Sequence, residues 1–252
     1  MPASHGNAVS FSPSGAYIAV GHYTSPYVSA YPWSGSGFGS KFSDPATLPT
    51  GTALGVAFSP NNDALAVSHE NTPRITAYPW SASGFGTAFS NPGTLPTGNA
   101  QAVAFSPAGD AIAVGHATSP YVSVYSWSGS GFGSKFSNPA TLPTGTGYGV
   151  AFSNAGDVLA VSHDQSPRIS IYAWNISTGF GTKFSNPATL PAEFGQCVSF
   201  SPTDEAVAVG FGYVSPYIIA YPWNSSSGFG TKYSDPATSP SYSVFDLAFT
   251  EI

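Results

Sequence analysis

Large and small side chains alternate along this chain with a period of two, inside a phrase written five times. Its first copy is FSPSGAYIAVGHYTSPYVSAYPW, from Phe11 to Trp33. The phrase restarts at Phe58, Phe105, Phe152 and Phe200, and part of a sixth copy stands near Phe249; the spacings are 47, 47, 47, 48 and 49 residues. At the head of the first copy Val9 and Phe11 fall on one face of a strand, Ala8 and Ser10 on the other. The copies keep this division: Val56 and Phe58 against Gly55 and Ala57, Val103 and Phe105 against Ala102 and Ala104, Val150 and Phe152 against Gly149 and Ala151, Val198 and Phe200 against Cys197 and Ser199. A second strand repeats it, Ile18 and Val20 opposing Ala19 and Gly21. A unit of this length cannot bury a core alone and must stack on its copies. A sheet bulky on one side and small on the other packs against an identical sheet, and repetition about a centre follows.

Four strands are expected in each unit. The first is Ala8–Ser12, followed by a tight turn (SPSG, SPNN, SPAG, SNAG, SPTD) whose fourth position holds Gly15, Asn62, Gly109, Gly156 or Asp204. These are the residue types that tolerate positive φ. The second strand is Tyr17–His22 and the third Tyr27–Trp33; a Gly/Ser loop leads to a fourth around Gly39–Ser43, and an Asx-Pro turn ends the unit before TLPTG. No window has helical periodicity. The extra residues that stretch the period follow Trp174, Phe211 and Trp223, all in loops.

The expected fold is therefore all-β: one five-bladed β-propeller of four-stranded antiparallel blades over 1–252. Its blades span 1–47, 48–94, 95–141, 142–189 and 190–238, with 239–252 a closing or exchanged strand. FSPSGAYIAVGH followed by SPYVSAYPW resembles the repeats of the WD-repeat and YVTN/lactonase-like propeller families. The Asp that WD repeats carry before strand three is replaced by Thr-Ser-Pro or Thr-Pro, and Gly-His ends strand two instead of preceding strand one. The WD hydrogen-bond tetrad is thus not expected, nor that family's manner of binding partners. Five units of this length are also similar to tachylectin-type lectin propellers, and their low charge resembles that of bacteriophage structural or attachment proteins. That likeness implies a virion or cell-surface setting.

Composition narrows the partners. Charged residues are 7 % of the chain, against roughly 25 % in typical domains, and six Lys and Arg are scattered over five repeats. Nucleic acid needs a basic stripe that is missing here. No apolar run reaches the ~20 residues of a membrane span, and the first residues, MPASHGNAVSFSPSG, do not read as a signal peptide. On that reading the Asn175 and Asn224 glycosylation patterns are chance. The lone Cys197 stands where other repeats have Gly55, Ala102 and Gly149, and reads as a packing residue. Repeats one and three agree at 27 of 31 positions between His22–Thr52 and His116–Thr146. Repeats two and four share His-acid-x-x-Pro-Arg, which implies duplication of a two-blade unit.

Candidate chemistry is sparse. His22, His69, His116 and His163 recur at one position, with Phe211 in the fifth copy. Strand spacing separates them by on the order of 10 Å or more, too far for one ion with bonds of about 2 Å. They read as packing wedges, with contact to a ligand at the rim as the functional alternative; no metal and no cofactor are expected. Asp63, Asp110, Asp157 and Glu205 follow the first turn and read as turn residues. No GxSxG elbow and no converging carboxylate pair is apparent, so no catalytic residue is assigned and the chain is expected not to be an enzyme; a lactonase-like hydrolase is the enzymatic alternative. Gly-Ser-Gly-Phe-Gly at 35–39 and 129–133 lacks the helix and Lys of a phosphate loop. Tyr31/Trp33, Tyr78/Trp80, Tyr125/Trp127, Tyr172/Trp174 and Tyr221/Trp223 read as core. At the start of strand three, Tyr27, Arg74, Tyr121, Arg168 and Tyr217 vary in type on a fixed framework and belong to residue classes favoured at binding hot spots. The function expected from these residues is multivalent binding of a glycan or a protein partner, or a purely structural role, with self-association through residues 241–252.

Overall fold

The computed structural model of the chain describes residues 4–249 and contains twenty strands and no helix among them. They form five four-stranded antiparallel sheets, each built in chain order. Blade one comprises β1 (Gly6–Phe11), β2 (Tyr17–His22), β3 (Val28–Ser34) and β4 (Gly37–Phe38); blade two comprises β5 (Ala53–Phe58), β6 (Ala64–His69), β7 (Ile75–Ser81) and β8 (Gly84–Phe85). Blade three is β9 (Ala100–Phe105), β10 (Ala111–His116), β11 (Val122–Ser128) and β12 (Gly131–Lys135). Blade four is β13 (Gly147–Phe152), β14 (Val158–His163), β15 (Ile169–Asn175) and β16 (Gly179–Lys183). Blade five is β17 (Gly195–Phe200), β18 (Ala206–Phe211), β19 (Ile218–Asn224) and β20 (Gly228–Phe229). This is the fold of a five-bladed β-propeller, with a surplus segment after the fifth blade. By internal contacts the chain divides into two compact units: one runs up to Val114 and takes back Ser123–Lys135, the other holds Gly115–Val122 and continues from Phe136.

The turn chemistry explains the first hairpin of each blade. Gly15, Asn62, Gly109, Gly156 and Asp204 all take positive φ, between 55° and 71°. Ser59 Oγ accepts from the amides of Asp63 (3.1 Å) and Ala64 (2.9 Å) and donates to Asp63 Oδ1 at 2.6 Å. Ser106 with Asp110 and Ser153 with Asp157 do the same. The recurring carboxylates are therefore turn residues. In four of the first strands the register slips by one residue, between Gly6/Ala8, Ala53/Gly55, Gly147/Gly149 and Gly195/Cys197. Each slip is a bulge that re-aims the extra side chain.

Two boundaries differ from the sequence expectation. Strand four starts earlier than Gly39: Ser34 pairs with Gly37 and Trp33 with Phe38, because Gly37 at φ 89° closes a two-residue turn. Tyr27, Arg74, Tyr121, Arg168 and Tyr217 do not begin strand three but precede it, each at positive φ (65° to 76°) after a cis X-Pro bond.

Within each unit the faces nest as large on small. Ala19, Val28 and Ala30 of blade one receive Val56, Phe58, Leu65, Val67, Tyr78 and Trp80 of blade two. Ala64, Ala66 and Ala77 receive Ile112, Val114, Tyr125 and Trp127. Val158, Ala160 and Ile171 receive Val198, Phe200, Val207, Tyr221 and Trp223. Every tryptophan from blade two on meets an aromatic ring from the chain just before its own blade: Phe42 on Trp80, Phe89 on Trp127, Phe136 on Trp174 and Phe184 on Trp223, all edge-on at 5.0–5.3 Å. Edge-to-face geometry adds about 1 kcal/mol to the burial of each pair. The Tyr/Trp pairs of strand three are thus core.

Candidate functional site

The loop between strands two and three is the most constrained part of each blade. Around Ser25-Pro26 in blade one, the Tyr27 amide donates to the Thr24 carbonyl at 2.9 Å and the His22 amide to the Tyr27 carbonyl at 2.8 Å. His22 holds this loop from below. Its Nδ1 lies 2.8 Å from the Thr24 carbonyl, which can only accept, so Nδ1 carries the proton. Nε2 then accepts from the Ser29 hydroxyl at 3.1 Å. His163 repeats both bonds with Gln165 and Ser170; His69 pairs with Thr76, and His116 with the Thr118 carbonyl. All four imidazoles are fully buried, and burial pushes His69 and His163 down to about 4. These four side chains lie beneath the rim, not on it.

Tyr27, Arg74, Tyr121, Arg168 and Tyr217 are part-exposed, one on each blade's loop. The two arginines bond the backbone carbonyls of Glu70 and Asp164 instead of their carboxylates. Arg74 also donates to Asn99 Oδ1. The equivalent of Asn99 beside Arg168 is Phe194, and there the guanidinium lies 5.5 Å from the ring centroid. An aromatic face attracts a cation but accepts no in-plane hydrogen bonds. Phe194 therefore gives Arg168 no counterpart of the Arg74–Asn99 hydrogen bond.

Blades four and five build the densest chemical cluster on these loops. Phe194 meets Tyr213 edge-on at 6.1 Å, and Tyr213, 73 % exposed at φ 70°, stands in the lengthened loop of blade five. Tyr148 is the bulged residue of β13. Its phenol is raised by burial first, then by the nearby charges of Asp164 and Tyr213. Asp164 rests against Gly145, where any Cβ would fall on the Asp164 carboxylate. Asp164 Oδ1 is buried and has no hydrogen-bond partner, a state that costs free energy and calls for a reason. Together, Asp164, Arg168, Tyr148, Phe194 and Tyr213 offer a carboxylate, a cation, a phenol and two apolar ring faces.

Of the rim residues named from sequence, only Arg168 belongs to this cluster. Tyr148, Phe194 and Tyr213 were not anticipated. The signal was their departure from the repeat: Tyr148 replaces Leu54, Gln101 and Gln196; Phe194 replaces Thr52, Asn99 and Thr146; Tyr213 sits at an insertion. No set of three or more His, Cys, Asp or Glu side chains is placed to hold a metal among the described residues. No helix of the described chain is long and apolar enough to cross a membrane.

No known protein family profile and no curated protein matches the chain. Solved structures do. One from Bacteroides uniformis, described as a candidate 6-phosphogluconolactonase, shares 17 % identity at a TM-score of 0.70, over 88 % of this chain and 68 % of its own. A protein from Lactobacillus plantarum shares 15 % at 0.77, over 97 % and 74 %. The Kuenenia stuttgartiensis hydrazine synthase shares 11 % at 0.67, over 89 % and 64 %. Identities this low establish a common fold. They support the propeller-repeat side of the sequence resemblance, and none of these three is described as a bacteriophage, virion or lectin protein. They also correct the expectation that the chain is not an enzyme: it rested on missing motifs alone, and a candidate lactone hydrolase shares this fold.

Proposed function

We propose that this chain is a lactonase-like hydrolase acting at the rim of blades four and five. The observation that carries the reading is the buried, unpartnered Oδ1 of Asp164 beside a cation and a phenol. In the proposed step Asp164 takes a proton from water as the water oxygen adds to the ester carbonyl. The ring C–O bond then breaks, its electron pair leaves on the alkoxide, and Asp164 returns the proton there; the product is the hydroxy acid. Arg168 holds the oxygen on which negative charge develops, and the Phe194 and Tyr213 rings pack the sugar-like body of the substrate. The described fold neighbour points to a phosphorylated aldonolactone as the first substrate to try. Lactone opening is followed by acid release at constant pH, with 6-phosphogluconolactone and unphosphorylated gluconolactone. Turnover above the spontaneous rate is expected, falling about 100-fold or more in Asp164→Asn with the unfolding midpoint unchanged. Equal rates in the two proteins would rule the assignment out.

A second reading, capture of a glycan or protein by the rim, is supported by the five part-exposed residues held at positive φ after the Pro of each loop. Such a surface spreads weak contacts over repeated positions. It predicts glycan-array binding that is lost when Tyr27, Tyr121 and Tyr217 are changed to Ala; an empty array, or binding that survives, removes it.

A further inference from the structure

Few groups set the charge that the rim of blades four and five can accept. The compact unit holding the Asp164 cluster contains three of the chain's six Lys and Arg: Arg168, Lys183 and Lys232. Lys232 is paired with Asp235 at 2.5 Å. Lys183, at the end of the outer strand β16, donates to Asn186 Oδ1 at 2.5 Å and to the Phe184 carbonyl at 3.4 Å. His163, beneath the loop, is driven down to about 4 by burial and carries no charge near pH 7. Within this unit Arg168 is thus the one cation at the cluster. It bonds the backbone carbonyl of Asp164, so one positive and one negative side chain stand on the same loop. The phenol of Tyr148 feels the charges of Asp164 and Tyr213 and of no lysine or arginine. Glu193, beside Phe194 in the chain, adds a further negative charge to that segment.

The rest of the cluster is apolar. Phe194 stands where other blades carry Thr or Asn, and Tyr148 where two of them carry Gln. In the lengthened loop of blade five, Tyr213 and Val214 are 73 % and 42 % exposed. They sit on a turn closed by the Val214 amide, which donates to the Gly212 carbonyl at 2.9 Å. A small number of polar groups among apolar and aromatic side chains is the composition of sites for small, mostly apolar ligands.

We propose that the lactone taken at this rim is uncharged and carries an apolar substituent, which lies on the Phe194 and Tyr213 rings. The proposal rests on the hydrolase reading above and narrows its substrate. A phosphate monoester brings nearly two negative charges at pH 7. Here it would stand near the Asp164 carboxylate, and it would compete for Arg168 with the oxygen on which negative charge develops. An alkyl or aryl substituent meets neither cost and takes the exposed ring surface out of water. The phosphorylated substrate of the described fold neighbour is therefore disfavoured by this chain's own residues.

The test compares kcat/KM, each divided by the spontaneous hydrolysis rate, for δ-decalactone, unsubstituted δ-valerolactone and 6-phosphogluconolactone. The full chain should favour δ-decalactone over both of the others by about tenfold or more. Phe194→Asn copies Asn99 of blade three, and Tyr213→Lys exchanges an exposed ring for a cation. Each should cut the preference for δ-decalactone over δ-valerolactone by about tenfold, with the unfolding midpoint unchanged. Tyr213→Lys should also raise 6-phosphogluconolactone relative to δ-decalactone. A native preference for 6-phosphogluconolactone, or preferences that neither variant moves, would overturn the substrate assignment and leave the hydrolase reading standing. Turnover of none of the three would remove both.

Discussion

At the scale of the residue, the four histidines show why a repeated chemical group need not be a site. All four are buried, and His22 and His163 are protonated on Nδ1 by a bond to a loop carbonyl and matched on Nε2 by a hydroxyl from strand three. Blade five replaces both partners at once: Phe211 stands for the histidine and Ile219 for the hydroxyl residue. His163→Ala should therefore cost about 2–4 kcal/mol, from the cavity and from the orphaned Ser170 hydroxyl and Gln165 carbonyl. His163→Phe with Ser170→Ile, which copies blade five, should cost less than either single change. The same burial makes stability depend on pH. His69 and His163 titrate at about 4 when folded and near 6.5 when unfolded. The unfolded chain binds more protons between those values, so this stability is whole above about pH 6.5 and is lost as the pH falls towards 4. Each histidine is worth on the order of 3 kcal/mol by that linkage. Urea unfolding at pH 7 and pH 5 checks it; equal stability at the two values would contradict neutral burial.

At the scale of the element, strand two was legible to the residue, Tyr17–His22, because a tight turn bounds it and its period of two is unbroken. The first hairpin was legible for a chemical reason: Gly, Asn or Asp recurs where φ is positive. The loop between strands two and three was not. A Ser-Pro or Thr-Pro pair shows that the chain turns but not which isomer it adopts, so Tyr27 and its copies were placed in the strand they precede. The cluster on blades four and five escaped for another reason. Tyr148, Asp164, Phe194 and Tyr213 are far apart in sequence, and only the bulge in β13 and the lengthened loop of blade five bring them to one rim. Departures from a repeat, not the repeat itself, mark that place.

At the scale of the whole molecule, the account rests on consecutive blades nesting large face on small. Sequence reading reached this because nesting needs only side-chain volume and alternation, both repeated five times. The nesting itself is tested by a pair of identical substitutions. A Cβ at Gly149 would lie 2.6 Å from Ser162 Oγ and 2.9 Å from the Cys197 Cα of the next blade, whereas one at Gly35 meets nothing within 4 Å. The most direct measurement is the equilibrium unfolding free energy of Gly149→Val beside that of Gly35→Val. The account predicts a loss of about 3 kcal/mol or more at Gly149 and a change within about 0.5 kcal/mol at Gly35. Equal losses at the two positions would contradict it.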